Sequence, residues 1–428
     1  MEIKDLYDIF QKYPHVTTDT RNIQKGDLFF ALKGPNFNGN NFADLAIADG
    51  AAYCILDEKP ATENEKFIVV ENVLETLQQL AKYHRETFEI PFIAITGSNG
   101  KTTTKELTHS VLSQKYITYF TQGNLNNHIG IPITILSIKK DAEMAIIEMG
   151  ANHQKEIEGY CKYVKPTIGI ITNCGKAHLE GFGGIDGVRK GKGELFDYIR
   201  ENGGAIFAYD DYDYFHTMSH DISEIHWYGS QNGEVVGQVV SSDPFLDVKI
   251  GIEDEGGIDV KTSLVGSYNL PNVLCATAVG NYFEVSKEQI VKALESYQPT
   301  NSRSQLIQYK DGSKVILDAY NANPTSMSLA IENFAKIQGD KKILMIGGMM
   351  ELGETSIQEH ENILALIRKY NWKSVVLVGG DFGKINIEPF LFFSNSQDAK
   401  EWLSKQDIHN TEILIKGSNS MKMNLIVN

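Results

Sequence analysis

The stretch 91-PFIAITGSNGKTTTKEL-107 decides how the rest of the chain is read. An apolar run, FIAI, is followed by Thr96, Gly97, Ser98, Asn99, Gly100, Lys101 and Thr102. That order is strand, glycine turn, helix start. The free N–H groups of such a helix start, reached through glycines that let the backbone come close, make a cradle for phosphate oxygens. Lys101 adds a point charge for the outer phosphates, and Thr102 offers a hydroxyl to Mg²⁺. The full G-x-x-x-x-G-K-[ST] pattern places its first glycine at position 95, where Ile95 stands instead. The loop is therefore the shorter kind, and Ile95 reads as the last part of a buried strand. Pro91 disfavours helix at Ile90, so the preceding helix has ended by that point.

Beyond the loop the chain alternates. The runs ITYF, AIIEMG and TIGIITN are almost wholly apolar, with helical segments between them. Continuous apolar strands separated by helices predict a parallel sheet buried on both faces, with ligands beyond the carboxyl ends of its strands. AIIEMG ends near Glu148, a carboxylate placed where a phosphate-bound Mg²⁺ finds a protein ligand. His178, after TIGIITN, sits at another strand end. From about residue 205 the texture changes. EIHWYG, GEVVGQVV and FLDVKIGI alternate in twos, which predicts an antiparallel edge or lobe.

Before the loop, GDLFFAL, AAYCILD and KFIVVEN read as short strands, followed by the helical pattern VLETLQQLAKYHRETF. After QPTNSRSQ, the runs KVILDA, KILMIGG, SVVLVGG and TEILIKG alternate with helices as a smaller doubly wound unit. We therefore expect an α/β chain of three domains: residues 1–85, a small α/β domain; 86–298, a parallel-sheet phosphate-loop domain with an antiparallel lobe; and 299–428, a Rossmann-like domain. A length of 428 residues and a balance of 42% hydrophobic to 22% charged residues suit that plan.

The formal net charge of -15 argues against a general nucleic-acid partner or an anionic membrane surface. The four cysteines are scattered and form no C-x-x-C pair, as in a reducing compartment. MEIKDLYDIF carries no long apolar run, and no segment approaches the ~18 apolar residues of a spanning helix. A cytoplasmic monomer with no signal peptide and no membrane insertion is the expectation.

The motifs together resemble one family, the ATP-dependent Mur ligases. The likeness runs in order through TDTRNIQKGDLFFALKGPNFNG, TGSNGKTTTKE, GNLNNHIGIP, IIEMGANHQKEI, TNCGKAHLEGFG, KGKGELF, GSYNLPNVLCA, NSRS, DAYNANPTSM and KGSNSMKM, so it covers all three blocks. Within the family, YNANPTSM, MMELGE and GNLNNHIGIP resemble the branch that joins D-alanyl-D-alanine to UDP-N-acetylmuramoyl-tripeptide. The resemblance implies activation of a substrate carboxylate by ATP, then attack of an amine on the acyl phosphate. It implies ATP contacts from Gly97, Ser98, Asn99, Gly100, Lys101, Thr102 and Thr103, with Asn269 and Asn272 on the adenine side. Arg303, Asp318 and Asn321 would reach the nucleotide from the third block. Two Mg²⁺ ions would be held by Thr102, Glu148, His178 and Lys192, the lysine as a carbamate. Lys101, Lys192, His178 and Arg303 would carry the chemistry. Thr20, Arg21 and Asp27 would meet the UDP part, and Asn126, Asn127 and His128 the muramoyl sugar.

Two positions depart from the family pattern. Gly348 stands where an aspartate is expected, and Asn419 where an arginine is expected, both in the block that receives the amine. Two other readings share parts of the pattern: a sibling enzyme of the MurE or folate polyglutamate type, and a nucleotide-binding scaffold without turnover. DAYNANPTSM, MMELGE and the first-block segment argue against the sibling enzymes.

Overall fold

The computed structural model describes residues 1–60, 62–252, 255–299, 303–309 and 311–427. Three α/β units follow one another. The first is a four-stranded parallel sheet in the order Val16–Thr17, Leu28–Phe30, Tyr53–Leu56, Phe67–Val69. The helices Ile3–Lys12 and Val73–Arg85 belong to the same stretch. Asn72 starts the second helix by accepting from the Glu75 N–H at 3.0 Å.

That helix also joins the first unit to the second. The buried His84 ring sits between the Tyr7 hydroxyl at 3.0 Å and the Ile138 carbonyl at 2.8 Å. Arg85 donates to the Val164 and Lys165 carbonyls at 2.9 and 3.0 Å, and its guanidinium lies 3.8 Å from the centre of the Phe92 ring. Two polar side chains that would be costly to bury unpaired are thus fully used in the contact.

The second unit is a nine-stranded sheet. Its order is Glu255–Val265, Phe245–Ile252, Val235–Ser242, Glu224–Gly229, Ala205–Tyr209, Ile168–Ile171, Phe92–Thr96, Met144–Glu148, Thr118–Phe120. Phe92 to Ile95 have no exposed surface, as expected for a central parallel strand covered on both faces. The antiparallel edge is confined to the first three strands of this order, Glu255–Val265, Phe245–Ile252 and Val235–Ser242. EIHWYG differs from its sequence reading: Glu224–Gly229 pairs parallel with Ala205–Tyr209 and belongs to the parallel part. One end of this strand is exposed and the other buried, and that gradient imitates two-residue alternation.

The third unit has six strands in the order Gln305–Gln308, Lys314–Asp318, Glu412–Lys416, Lys342–Gly347, Ser374–Val378, Leu391–Phe393. Only the first pair is antiparallel. Of the stretch NSRS, Asn301 and Ser302 lie outside the described residues. All four cysteines are buried and unpaired. Burial pushes the Cys54, Cys174 and Cys275 thiols up to about 12 and Cys161 higher still. Among the described residues no helix is long and apolar enough to cross a membrane.

Candidate active site

The strand Phe92–Thr96 lies between Ile168–Ile171 and Met144–Glu148, with Ile95 opposite Glu148 and Thr96 opposite Ile171. The loop leaving its carboxyl end is therefore flanked by the carboxyl ends of both neighbours: Glu148 on one side, Thr172 and Asn173 on the other. This topology, more than the loop sequence alone, builds the site.

Gly97 has φ 140°, and a Cβ there would lie 2.0 Å from the Thr172 hydroxyl, so the position admits only glycine. Gly100, at φ 82°, directly precedes the helix Lys101–Leu112. The Lys101 ammonium folds back onto the Gly97 carbonyl at 2.6 Å and the Ser98 carbonyl at 3.3 Å. Burial lowers its pKa to about 8, with Glu148 opposing that shift and Arg303 adding to it.

Glu148 is 1% exposed. Its carboxylate accepts from the Thr102 hydroxyl at 3.0 and 3.1 Å and from the Asn126 amide at 2.8 Å. The loop motif does not include Lys105, yet this lysine is equally buried and pairs with Glu148 at 3.5 Å while donating to the Thr121 carbonyl at 2.8 Å. Its position, four residues after Lys101 on the helix face turned to the sheet, is the available signal. A hydroxyl and a carboxyl group converge beside a phosphate loop. Among the described residues, no three His, Cys, Asp or Glu side chains converge on one point. This donor set fits Mg²⁺, which is commonly held by one or two carboxylates with phosphates and waters completing the shell.

Lys192, on the helix Ile185–Asn202, is 1% exposed and donates to the Ala151 carbonyl at 3.0 Å. Burial, followed by the charge of Lys101, lowers its pKa to about 7. It stands behind the cleft wall, whereas Ala151 lines the cleft. His178, at φ 52°, meets the Glu351 carboxylate of the third unit through Nδ1.

The cleft has a volume of about 970 Å³ and is lined by residues of the second and third units. It brings together the loop residues Ser98 to Thr103, the residues Asn126, Asn127 and His128, and both asparagines at 269 and 272. Asn127 Oδ1 accepts from the Ile129 and Gly130 N–H groups, and the His128 carbonyl accepts from Gln78. Asn272 accepts from the Thr104 hydroxyl at 3.0 Å and donates to Asn269 at 2.8 Å, which ties two helices together beside Gly100. From the third unit come Arg303, stacked 3.6 Å from the centre of the Tyr320 ring, and Asp318 and Asn321. The buried Lys416 ammonium bridges the Asp318 carboxylate at 2.5 Å and the Asn321 carbonyl at 3.2 Å. The third unit also touches the loop itself, where the Asn323 amide donates to Asn99 Oδ1 at 2.7 Å.

Thr20, Arg21 and Asp27 are not among the cleft-lining residues. Arg21 is exposed and pairs with Asp19 at 2.6 Å, which holds the Asp19 carboxyl down at about 2. Asp27 is buried and accepts from the Gln24 N–H at 2.8 Å. Gly348 packs so tightly that a Cβ there would lie 2.7 Å from the Gly380 Cα, and Asn419 is exposed at the start of a short helix.

Comparison with known proteins decides the family. Residues 12–85 match the Mur ligase family catalytic domain, 95–280 the Mur ligase middle domain, and 302–417 the Mur ligase glutamate ligase domain. The chain belongs to the Mur ligase family. Among its relatives, the UDP-N-acetylmuramoyl-tripeptide–D-alanyl-D-alanine ligases of Bacillus subtilis and Escherichia coli are each 33% identical over 96% of this chain and 92% of theirs. Among solved Mur ligases, MurF from Acinetobacter baumannii superposes with a TM-score of 0.88 at 32% identity, covering 96% of this chain and 92% of its own. MurF ligase from Thermotoga maritima in complex with ADP gives 0.87 at 25% identity, over 98% and 97%. The Mur ligase assignment accounts for the three-unit plan.

Proposed function

We propose that this Mur ligase joins D-alanyl-D-alanine to UDP-N-acetylmuramoyl-tripeptide at the expense of ATP, in cell-wall precursor synthesis. The observation that carries the reading is the convergence, in one cleft, of the phosphate loop, Glu148 and the third-unit residues Arg303 and Asp318. The tripeptide carboxylate attacks the γ-phosphorus and ADP leaves. The dipeptide amine then attacks the acyl phosphate, the amide forms and phosphate departs. Charge builds on phosphoryl and then carbonyl oxygens, so placed cations and amides serve better than a protein nucleophile.

Lys101 and the loop N–H groups hold the outer phosphates. Thr102 and Glu148 would hold one Mg²⁺; His178 and Lys192, the latter as a carbamate, complete our reading of a two-ion site. Bound there, magnesium neutralises phosphoryl charge. Asn269 and Asn272 face the adenine, Arg303, Asp318 and Asn321 close over the nucleotide, and Asn126, Asn127 and His128 face the sugar. Thr20, Arg21 and Asp27, in the 1–85 domain, bind the UDP end. The 299–428 domain brings the amine to the 86–298 domain, and closure of the two excludes water from the acyl phosphate. The enzyme works as a cytoplasmic monomer.

The deciding experiment is phosphate release by purified protein with ATP, Mg²⁺ and UDP-N-acetylmuramoyl-tripeptide. Release that depends on D-alanyl-D-alanine, and falls away with D-alanine alone, is the expected result. Release no greater than the no-dipeptide control overturns the reading.

A further inference from the structure

The phosphate loop is not self-supporting. Its middle residue, Asn99, is held by both backbone polar groups from the end of the neighbouring strand. The Asn99 N–H donates to Asn173 Oδ1 at 3.1 Å, and the Asn173 Nδ2 donates back to the Asn99 oxygen at 3.0 Å. The side-chain amide therefore makes a two-bond bridge to one residue's backbone, much as a further strand would. The Thr172 hydroxyl donates to the same oxygen at 2.6 Å. One residue earlier, the Ser98 N–H donates to the Asn173 backbone carbonyl at 2.9 Å.

We infer that Asn173 is a positioning residue for nucleotide binding, one that acts through the loop and sets the direction of its N–H groups. The inference rests on the reading of this cleft as an ATP site. A loop that cradles phosphate gains by being held in its binding shape beforehand, since ordering it on binding subtracts from affinity. A carboxamide accepts from the N–H through its oxygen and donates to the oxygen of the same residue through its nitrogen, with a separate atom for each bond. Aspartate at this position would keep the acceptor and set a second oxygen against the Asn99 carbonyl.

The test uses full-length protein and a nonhydrolysable ATP analogue with Mg²⁺, in the wild type, Asn173→Ala and Asn173→Asp. Titration calorimetry is expected to show binding weakened about tenfold or more in both variants. The KM for ATP rises with it, while those for the UDP-linked substrate and the dipeptide stay within about twofold. Amide exchange adds a local readout. In Asn173→Ala the Asn99 N–H exchanges about tenfold faster or more, while the Ser98 N–H, bonded to the main chain at 173, stays protected. In Asn173→Asp, which covers the case of an alanine variant that does not fold, the Asn99 N–H stays protected while affinity is still lost. Analogue binding within twofold of wild type in a folded variant overturns the inference. Were the wild type itself not to bind, the ATP reading would fall. The exchange measurement needs no nucleotide and would still decide whether Asn173 braces the loop.

Discussion

His178 of the second unit and Glu351 of the third meet directly at the contact between the two units, imidazole Nδ1 to carboxylate, each on a residue in the left-handed backbone region (φ 52° and 60°). Neither is a glycine, so the surrounding structure holds both in a sparsely populated conformation. Nearby, the Lys176 ammonium pairs with Glu359 at 2.6 Å, and the Lys176 N–H donates to the Thr325 hydroxyl at 3.0 Å. A small set of polar contacts thus latches the third unit over the loop.

Glu351→Gln should loosen that latch. The hydrogen bond from His178 holds the Glu351 carboxyl below its ordinary value of 4.5. Its contribution to docking is then present above about pH 4.5 and is lost as pH falls through the lowered value. The pair is partly exposed, so the effect is of the order of 1 kcal/mol or less. Small-angle scattering of the nucleotide-free protein should show a larger radius of gyration in Glu351→Gln than in the wild type at pH 7. Superimposable curves would refute this.

Lys101 and Lys192 predict an unusual pH dependence of stability. Lys192 is lowered to about 7 and Lys101 to about 8, against 10.5 for an ordinary lysine. Between those values the unfolded chain binds protons that the fold has shed, so stability rises with pH. The gain approaches about 1.4 kcal/mol per pH unit for each lysine fully in that window. Urea unfolding from pH 7.5 to 8.5, below the range where thiols exposed by unfolding ionise, should show the rise, and Lys192→Met should reduce it. An unchanged slope in that variant would reject the assignment to Lys192. The carbamate role has a separate check: Lys192→Ala should lose most turnover and regain part of it with short carboxylic acids.

Gly348→Asp, which installs the residue expected there from the resemblance, should harm this chain. With a Cβ 2.7 Å from the Gly380 Cα, the two backbones must part. We expect a loss of about 1–3 kcal/mol in unfolding free energy. The KM for the dipeptide should rise more than that for ATP. A variant as stable as the wild type would show that the Gly380 turn gives way without cost.

Lys101→Ala removes the cation that the loop keeps against its own carbonyls until phosphate arrives. Turnover should fall about 10²- to 10³-fold. The Asn99 amide should keep its slow exchange, because Thr172 and Asn173, not Lys101, hold that residue. Faster exchange at Asn99 would contradict this division of labour.

Much of this is legible in the chain. Continuous apolar runs mark buried parallel strands, and FIAIT, AIIEMG and TIGIITN are three neighbouring strands in the parallel part of the sheet. Glu148 and Thr102 can be named because a strand end and a helix start have fixed relations to a phosphate loop. Asn173 cannot, and Lys105 is marked only by its spacing from Lys101. Asn99 and Asn173 are 74 positions apart and meet only because two strands are neighbours, a relation with no periodicity to betray it. Lys192 is reached through resemblance; its spacing alone reads as a surface lysine, whereas the fold buries it. EIHWYG misleads because an end-to-end burial gradient and true alternation look alike over six residues.

The four buried thiols have a practical consequence. With their ionisation pushed far above neutral pH, they stay silent towards maleimide dyes. Cysteines placed at the exposed Glu201 on the second unit and Lys369 on the third would be the only reactive pair. The molecule comes ready for single-molecule distance measurement, in which opening and closing around each substrate can be watched one turnover at a time.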